Sequence, residues 1–205
     1  MLKNQLKEFH IILASESPRR QFLLKELGLE FEVQATNVDE VYPENLTPSE
    51  VAVYLANLKA DSFDLNKEPE HSIIITADTI VYINGEILGK PGNREEAIEM
   101  LEKLSNRRHE VITAVCLKSR NKRKTFHVFS SVYFKQLSTA EIDFYIENFH
   151  PYDKAGAYGV QEWIGYIAIS RIEGSFFNIM GLPVKELYEE LLDFCSDQGL
   201  QRQAF

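Results

Sequence analysis

Ser15, Ser17, Arg19 and Arg20 crowd into eight residues, LASESPRR, between a short apolar run and the helix-like stretch QFLLKELG. Two adjacent arginines in the first turn of a helix face the positive end of its dipole, which disfavours cations. An anion bound at that turn would offset the repulsion. Backbone N–H groups at a helix start can cradle a phosphate. The two hydroxyls add donors, and guanidinium forks match phosphate oxygens. The alternative is a capped helix with two solvated arginines. Neither a Walker pattern nor GxGxxG occurs.

Acids of the right kind lie elsewhere. Asp78 interrupts the apolar run IIITADTIVYI, where a buried carboxylate is costly without a partner or a metal. It reads either as a strand-end residue bonded to backbone or as a magnesium ligand or general base. Asp39-Glu40, in a polar loop, could bring further carboxylates, although such pairs are usually just solvated. Lys59 and Lys90 are individually unremarkable, since most lysines lie at the surface. Taken together, carboxylates for Mg²⁺, cations for a polyphosphate and a base for water make the set that phosphoryl chemistry requires. Later in the chain, DKAGAYGVQ supplies Asp153, Lys154 and Gln161. Its glycines allow close backbone approach to a ligand, and an amide can both donate to and accept from a nucleobase edge. A compact surface loop is the alternative. Trp163 and the tyrosines read as packing, and RNKRK at 120–124 as a solvated hairpin tip. The five histidines form no metal-spaced pair.

The elements that must position these residues are readable from periodicity. HIILA (10–14) predicts a buried strand, and Ser17-Pro18 an N-cap with proline at the first helical position. Leu23, Leu24 and Leu27 give that helix an apolar face, and Gly28 ends it. A strand at 30–34 precedes the polar loop ATNVDEVYPENL. A capping box at Thr47-Pro48-Ser49-Glu50 opens a helix to about Phe63 that buries Val51, Leu55 and Leu58. SIIITADTIVYINGEILGK predicts a long strand, an Asn84-Gly85 turn and a short return strand. Asn93 caps REEAIEMLEKL, and HEVITAVCLKS with KTFHVFSSVYFKQ forms an antiparallel hairpin. A second capping box, Ser138 to Glu141, opens EIDFYIENF. HPYDKAGAYGVQEW reads as a functional loop or short helical turn, IGYIAISRIEG as strand and VKELYEELLDF as a last helix. The expected fold is α/β, bordering on α+β: a mixed twisted sheet flanked by helices.

Composition narrows the function classes. With 205 residues, 44% of them hydrophobic, the chain can bury one core but is short for two independent domains. A net charge of −9 argues against stable nucleic-acid binding, which rests on clustered Lys and Arg. Any anion must therefore be attracted locally. The start, MLKNQLKEFH, lacks the apolar core of a signal peptide. No apolar run approaches the roughly 18 residues of a membrane helix. Cys116 and Cys195 have no partner motif, and Cys116 reads as a small core residue. A soluble cytoplasmic protein is the simplest account.

SESPRR, the VDE of 38–40, ADTIV with GEILGKP, and DKAGAYGVQ through GSFFNIMGLPV occur in that order. This ordered set strongly resembles the Maf family, also called septum formation inhibitor proteins, over roughly residues 11 to 194. The resemblance implies one domain over 1–205, with a lead-in at 1–9 and a tail at 196–205. It also implies two lobes around a central cleft, similar to the inosine triphosphatase architecture. The activity implied is a nucleoside triphosphate pyrophosphatase that cuts between the α and β phosphates. By motif, Ser15, Arg19 and Arg20 would hold phosphates, with Ser17 beside them, and Lys59 and Lys90 would neutralise the triphosphate. Asp153 and Lys154 would lie against the substrate. Glu40 and Asp78 would hold the divalent metal, Mg²⁺ before Mn²⁺ or Co²⁺, and Asp78 would take the proton of the attacking water, with Glu40 as runner-up. Arg19, Thr79 and Gln161 match the dTTP/UTP branch; a sister branch acting on 7-methylguanosine triphosphate has Trp, Gln and Glu there. A homodimer is compatible with the family. Asn178 reads as a variable rim position without a role. The rival functions are a non-catalytic nucleotide-binding regulator of septum formation and a phosphatase releasing orthophosphate.

Overall fold

A computed structural model describes residues 6–35 and 38–196. Much of the expected lead-in and nearly all of the expected tail lie outside these residues, as do Thr36 and Asn37 of the polar loop. The described elements run β1 (His10–Leu13), α1 (Pro18–Glu26), β2 (Glu32–Val33), α2 (Pro48–Asp61), β3 (Ser72–Ile83) and β4 (Glu86–Leu88). They continue with α3 (Arg94–Leu104), β5 (Arg108–Lys118), β6 (Arg123–Phe134) and α4 (Thr139–Phe149). After two 3₁₀ turns, Pro151–Asp153 and Ala155–Ala157, come α5 (Trp163–Ala168), β7 (Ile169–Glu173), α6 (Phe176–Met180) and α7 (Val184–Ser196).

Seven strands form one mixed sheet in the order β2-β1-β3-β5-β6-β7, with β4 paired to β3. β1 runs parallel to β3 in the register Ile11 to Ile73 and Leu13 to Ile75, and parallel to β2 with Leu13 opposite Val33. β4 returns antiparallel to β3, Val81 facing Leu88. Asn84 and Gly85 both take positive φ at that return, as a type I′ hairpin turn requires. β7 is antiparallel to β6.

The chain groups into two compact units. The first is the described part of Met1–Asp78, Ala114–His127 and Gly181–Phe205; the second is Thr79–Thr113 with Val128–Met180. In the first, Ile12, Ala14, Ile74 and Leu65 pack together with Phe63 against them. In the second, Val81, Leu101, Val132, Tyr145 and Ile164 belong to one apolar cluster. Both capping boxes form: Thr47 and Ser138 each accept the backbone N–H three residues on, and Glu50 and Glu141 reach back. Each is worth about 1 kcal/mol.

Three local expectations need correction. Ser17 occupies the N-cap of α1 without a side-chain capping bond; its own N–H instead meets the Ser15 hydroxyl at 3.3 Å, which folds the turn back on the preceding residue. The segment 164–168, read as strand, lies in helix α5. Its apolar residues Ile164, Ile167 and Ala168 are spaced i, i+3, i+4, the helical period, and only from Ile169 does the chain pair with β6. The predicted strand at 30–34 reduces to Glu32–Val33.

His109, 1% exposed, sits in the second unit with Nε2 2.8 Å from the Tyr158 hydroxyl, edge-on to Phe134 and Tyr158. Burial, assisted by the charge of Arg108, lowers its pKa from 6.5 to about 3. The folded chain therefore keeps this ring neutral, whereas the unfolded chain takes up a proton below pH 6.5. The contribution is whole above that pH and is lost as pH falls towards the folded value, about 2 kcal/mol of it between pH 6.5 and 5. Urea midpoints at pH 7 and pH 5 should separate strongly in the parent protein and less in His109→Asn.

Candidate active site

Strand alternation and helical period decide the centre of the first unit. Thr76 and Asp78 are two apart on β3 and so share a face. Val51, Leu55 and Lys59 lie four apart on α2 and share its inward stripe. Thr76 Oγ1 donates to the Ala56 carbonyl at 2.6 Å, seating the helix on the strand. One turn further along α2, Lys59 Nζ meets Asp78 Oδ1 at 2.5 Å. Lys59 is 8% exposed and Asp78 6%. Glu40, from the polar loop, reaches the same ammonium at 2.8 Å, with its side chain 44% exposed. Two carboxylates thus converge on one cation.

The arginine turn belongs to the same unit. Arg20 donates through Nε to the Gly181 carbonyl at 2.8 Å and through a terminal nitrogen to the Ala77 carbonyl at 2.8 Å, the residue before Asp78. The same nitrogen lies 3.4 Å from the Ser15 hydroxyl. Burial lowers the Arg20 pKa; the charges of Asp78 and Glu40 oppose that shift, while Arg19 adds to it. Arg19 itself is half-exposed. The start of α1 carries no acidic residue in its first turn, so the positive end of its dipole stands beside two arginines. Ser15, Ser17, Arg19, Arg20, Glu40, Lys59 and Asp78 all fall in this unit.

Thr79, Lys90, Asp153, Lys154 and Gln161 fall in the second unit. Thr79 and Thr113 share a hydroxyl–hydroxyl bond of 2.9 Å, and Thr113 donates to the Asn178 backbone carbonyl, also at 2.9 Å. Asn178, expected at a rim, is 0% exposed, and its amide donates to the Val111 carbonyl and the Ser130 hydroxyl, each at 3.0 Å. Lys90 is exposed. Its neighbour Gly89 accepts the Gly156 N–H at 3.0 Å, which holds GKPG against the late loop. Gly156 has φ +68, and a Cβ there would lie 3.1 Å from Val81, so only glycine suits the position. Lys154 is buried, its Nζ 2.6 Å from Asp153 and 3.1 Å from Glu162. Gln161 Oε1 is buried and has no hydrogen-bond partner among the described residues.

Sequence reasoning missed Thr76, Thr113 and Glu162. For Lys59 a signal of burial was available: the lysine stands eight residues after Val51, on the apolar stripe. Glu162 had only its place in HPYDKAGAYGVQEW, because its partners come from α4 and from Lys154.

A divalent metal suits this donor set. Glu40 and Asp78 offer hard oxygens directed at one positive centre, and Mg²⁺ is commonly held by one or two carboxylates together with substrate phosphates. Among the described residues no group of three or more His, Cys, Asp or Glu could hold a metal ion.

The sequence model of the family described as Maf-like protein matches residues 10–194. The chain belongs to that family. It is 52% identical to a dTTP/UTP pyrophosphatase of Porphyromonas gingivalis, across 95% of this chain and 98% of the relative. It is 49% identical to a dTTP/UTP pyrophosphatase of Flavobacterium johnsoniae, across 93% and 98%. The solved structure of the Staphylococcus aureus Ham1 protein aligns with a TM-score of 0.46 at 18% identity, over 88% of this chain and 99% of that one. Membership in the Maf-like family fits a nucleotide substrate and a divalent metal. No helix among the described residues is long and apolar enough to cross a membrane.

Lys59→Met leaves Asp78 buried without its cation and should destabilise the protein by about 2–4 kcal/mol in urea unfolding. Adding Asp78→Asn should recover part of that loss, with a coupling of at least about 1 kcal/mol between the two positions.

Proposed function

We propose that this chain hydrolyses dTTP and UTP to the nucleoside monophosphate and pyrophosphate, by attack of water on the α-phosphorus. The observation that carries the reading is the convergence of Glu40 and Asp78 on Lys59 in the unit that also holds the Arg20-anchored start of α1. Relatives about half identical to this chain carry that activity in their names.

In this reading Ser15, Ser17, Arg19 and Arg20 hold phosphate oxygens at the helix start, and Lys59 and Lys90 oppose the charge that develops on the pyrophosphate. Glu40 and Asp78 hold the divalent ion, Mg²⁺ before Mn²⁺ or Co²⁺, through hard carboxylate oxygens. When bound, the ion supplies charge neutralisation and polarisation of the phosphoryl oxygens. Asp78, with one carboxylate oxygen fixed by Lys59, orients the water and takes its proton; Glu40 is the second choice. The Gln161 amide, neutral and with a buried oxygen awaiting a donor, suits the imide N–H of uracil or thymine. Arg19 and Thr79 complete the pyrimidine preference. Asp153 and Lys154 shape the loop that carries Gln161. The same reading places the protein in the cytoplasm as a homodimer, independent of nucleic acid, cleansing the nucleotide pool or restraining septation.

A nucleotide panel with Mg²⁺ should yield UMP and dTMP with pyrophosphate, and chelation should abolish turnover. Release of orthophosphate would identify a phosphatase, and tight binding without turnover a regulator. Asp78→Asn should lower kcat by about 10²-fold or more, the usual scale for a general base. Gln161→Glu should lower kcat/KM for UTP by at least about tenfold, because a carboxylate cannot donate to the base carbonyl.

A further inference from the structure

Gly159 to Glu162 form a four-residue turn, closed by the Glu162 N–H on the Gly159 carbonyl at 3.0 Å, with Val160 and Gln161 at its tip. Both ends of this turn are attached to one atom. The hydroxyl of Tyr145, a fully buried residue of α4, accepts the Gly159 N–H at 3.0 Å and donates to Glu162 Oε2. The other carboxylate oxygen of Glu162 takes the Lys154 ammonium at 3.1 Å.

The packing leaves no slack. A Cβ on Gly159 would stand 2.7 Å from the Glu162 carboxyl carbon, and one on Gly165 would stand 1.9 Å from the Val160 carbonyl oxygen. The carboxylate therefore lies directly on the backbone of the turn it closes, and α5 starts immediately behind it. Val160 is buried below, whereas Gln161 carries the orphaned amide oxygen. A side chain that discriminates by hydrogen-bond geometry must be held to within a fraction of an ångström. Glutamine, with three rotatable bonds, depends on its backbone for that.

We infer that Tyr145 and Glu162 are positioning residues for base selection: their shared hydrogen bond clamps the 159–162 turn and so aims the Gln161 amide at the pyrimidine edge. This rests on the pyrimidine triphosphate reading given above. Lys154 then serves chiefly as the counter-ion that holds the other oxygen of Glu162 within the clamp.

Two measurements on the full chain test the clamp. In the first, hydrogen–deuterium exchange of residues 158–163 without nucleotide is compared in the parent protein, Tyr145→Phe and Glu162→Gln; exchange should quicken at least about tenfold in Tyr145→Phe, which removes the pin but keeps the ring. In the second, calorimetry with Mg²⁺ and non-hydrolysable α,β-imido analogues of UTP and GTP should show UTP-analogue affinity falling about tenfold in Tyr145→Phe. GTP-analogue affinity should change less than about threefold, since a lost base contact costs roughly that discrimination. Unchanged exchange, or equal loss for both analogues, overturns the inference. Glu162→Gln, which keeps shape and an acceptor for the hydroxyl, should lie between parent and Tyr145→Phe in both measurements; a Glu162→Gln protein worse than Tyr145→Phe in selectivity would also overturn it. If the parent protein binds neither analogue, the pyrimidine reading fails, and the exchange comparison still decides whether the clamp exists.

Discussion

A lysine removed from water survives only if its charge is met, and Lys59 is met twice, by Asp78 at 2.5 Å and Glu40 at 2.8 Å. The rest of the first unit's polar architecture follows from this three-body contact. Burying the Lys59 ammonium or the Asp78 carboxylate alone would cost several kcal/mol. Together they fix α2, the loop of residues 38–41 and the middle of β3 to one another. Arg20 extends the arrangement by tying the start of α1 to the carbonyl beside Asp78. Two carboxylates and two cations nearly cancel, so in the proposed reading a chain with net charge −9 can still meet a polyanion with a locally neutral site. Long-range repulsion is screened beyond about 10 Å at ordinary salt, and short-range donors decide the encounter.

The second unit also contains a cluster that holds polar groups still without charge. The hydroxyls of Thr79 and Thr113 and the backbone carbonyl of Asn178 form a run in which donor direction is set from the inside out: Thr113 donates to that carbonyl, so Thr79 must donate to Thr113. The oxygen of Thr79 is thereby biased towards accepting. Such a run is costly if broken and highly directional if complete.

Much of this was legible in the sequence, and the failures have physical causes. Capping boxes at Thr47 and Ser138, the Asn84-Gly85 turn and the paired apolar runs act within a few residues, so local chemistry sufficed for α2, α4 and the hairpins. Helix α5 was misread because six residues offer less than two turns of period before a true strand begins. Asn178 looked peripheral because burial of an amide depends on Val111 and Ser130, which are distant in sequence. Lys59 looked ordinary because residue type outweighed its place on the α2 stripe. The ordered motifs named the acids and cations. They could not say that Lys154 would be enclosed by Asp153 and Glu162, since the path that brings Glu162 back to Lys154 is set by contacts with α4.

Glycine at 159 and 165 is demanded by close contacts rather than by turn dihedrals: no φ in the left-handed range is recorded at either position, yet a methyl group would strike Glu162 or the Val160 carbonyl. A stretch built this way has mutational latitude almost solely at its tip. In the proposed reading, changing base preference through this loop therefore has one inexpensive coordinate, the side chain at 161, while a change of loop path would require replacing 145, 159, 162 and 165 together.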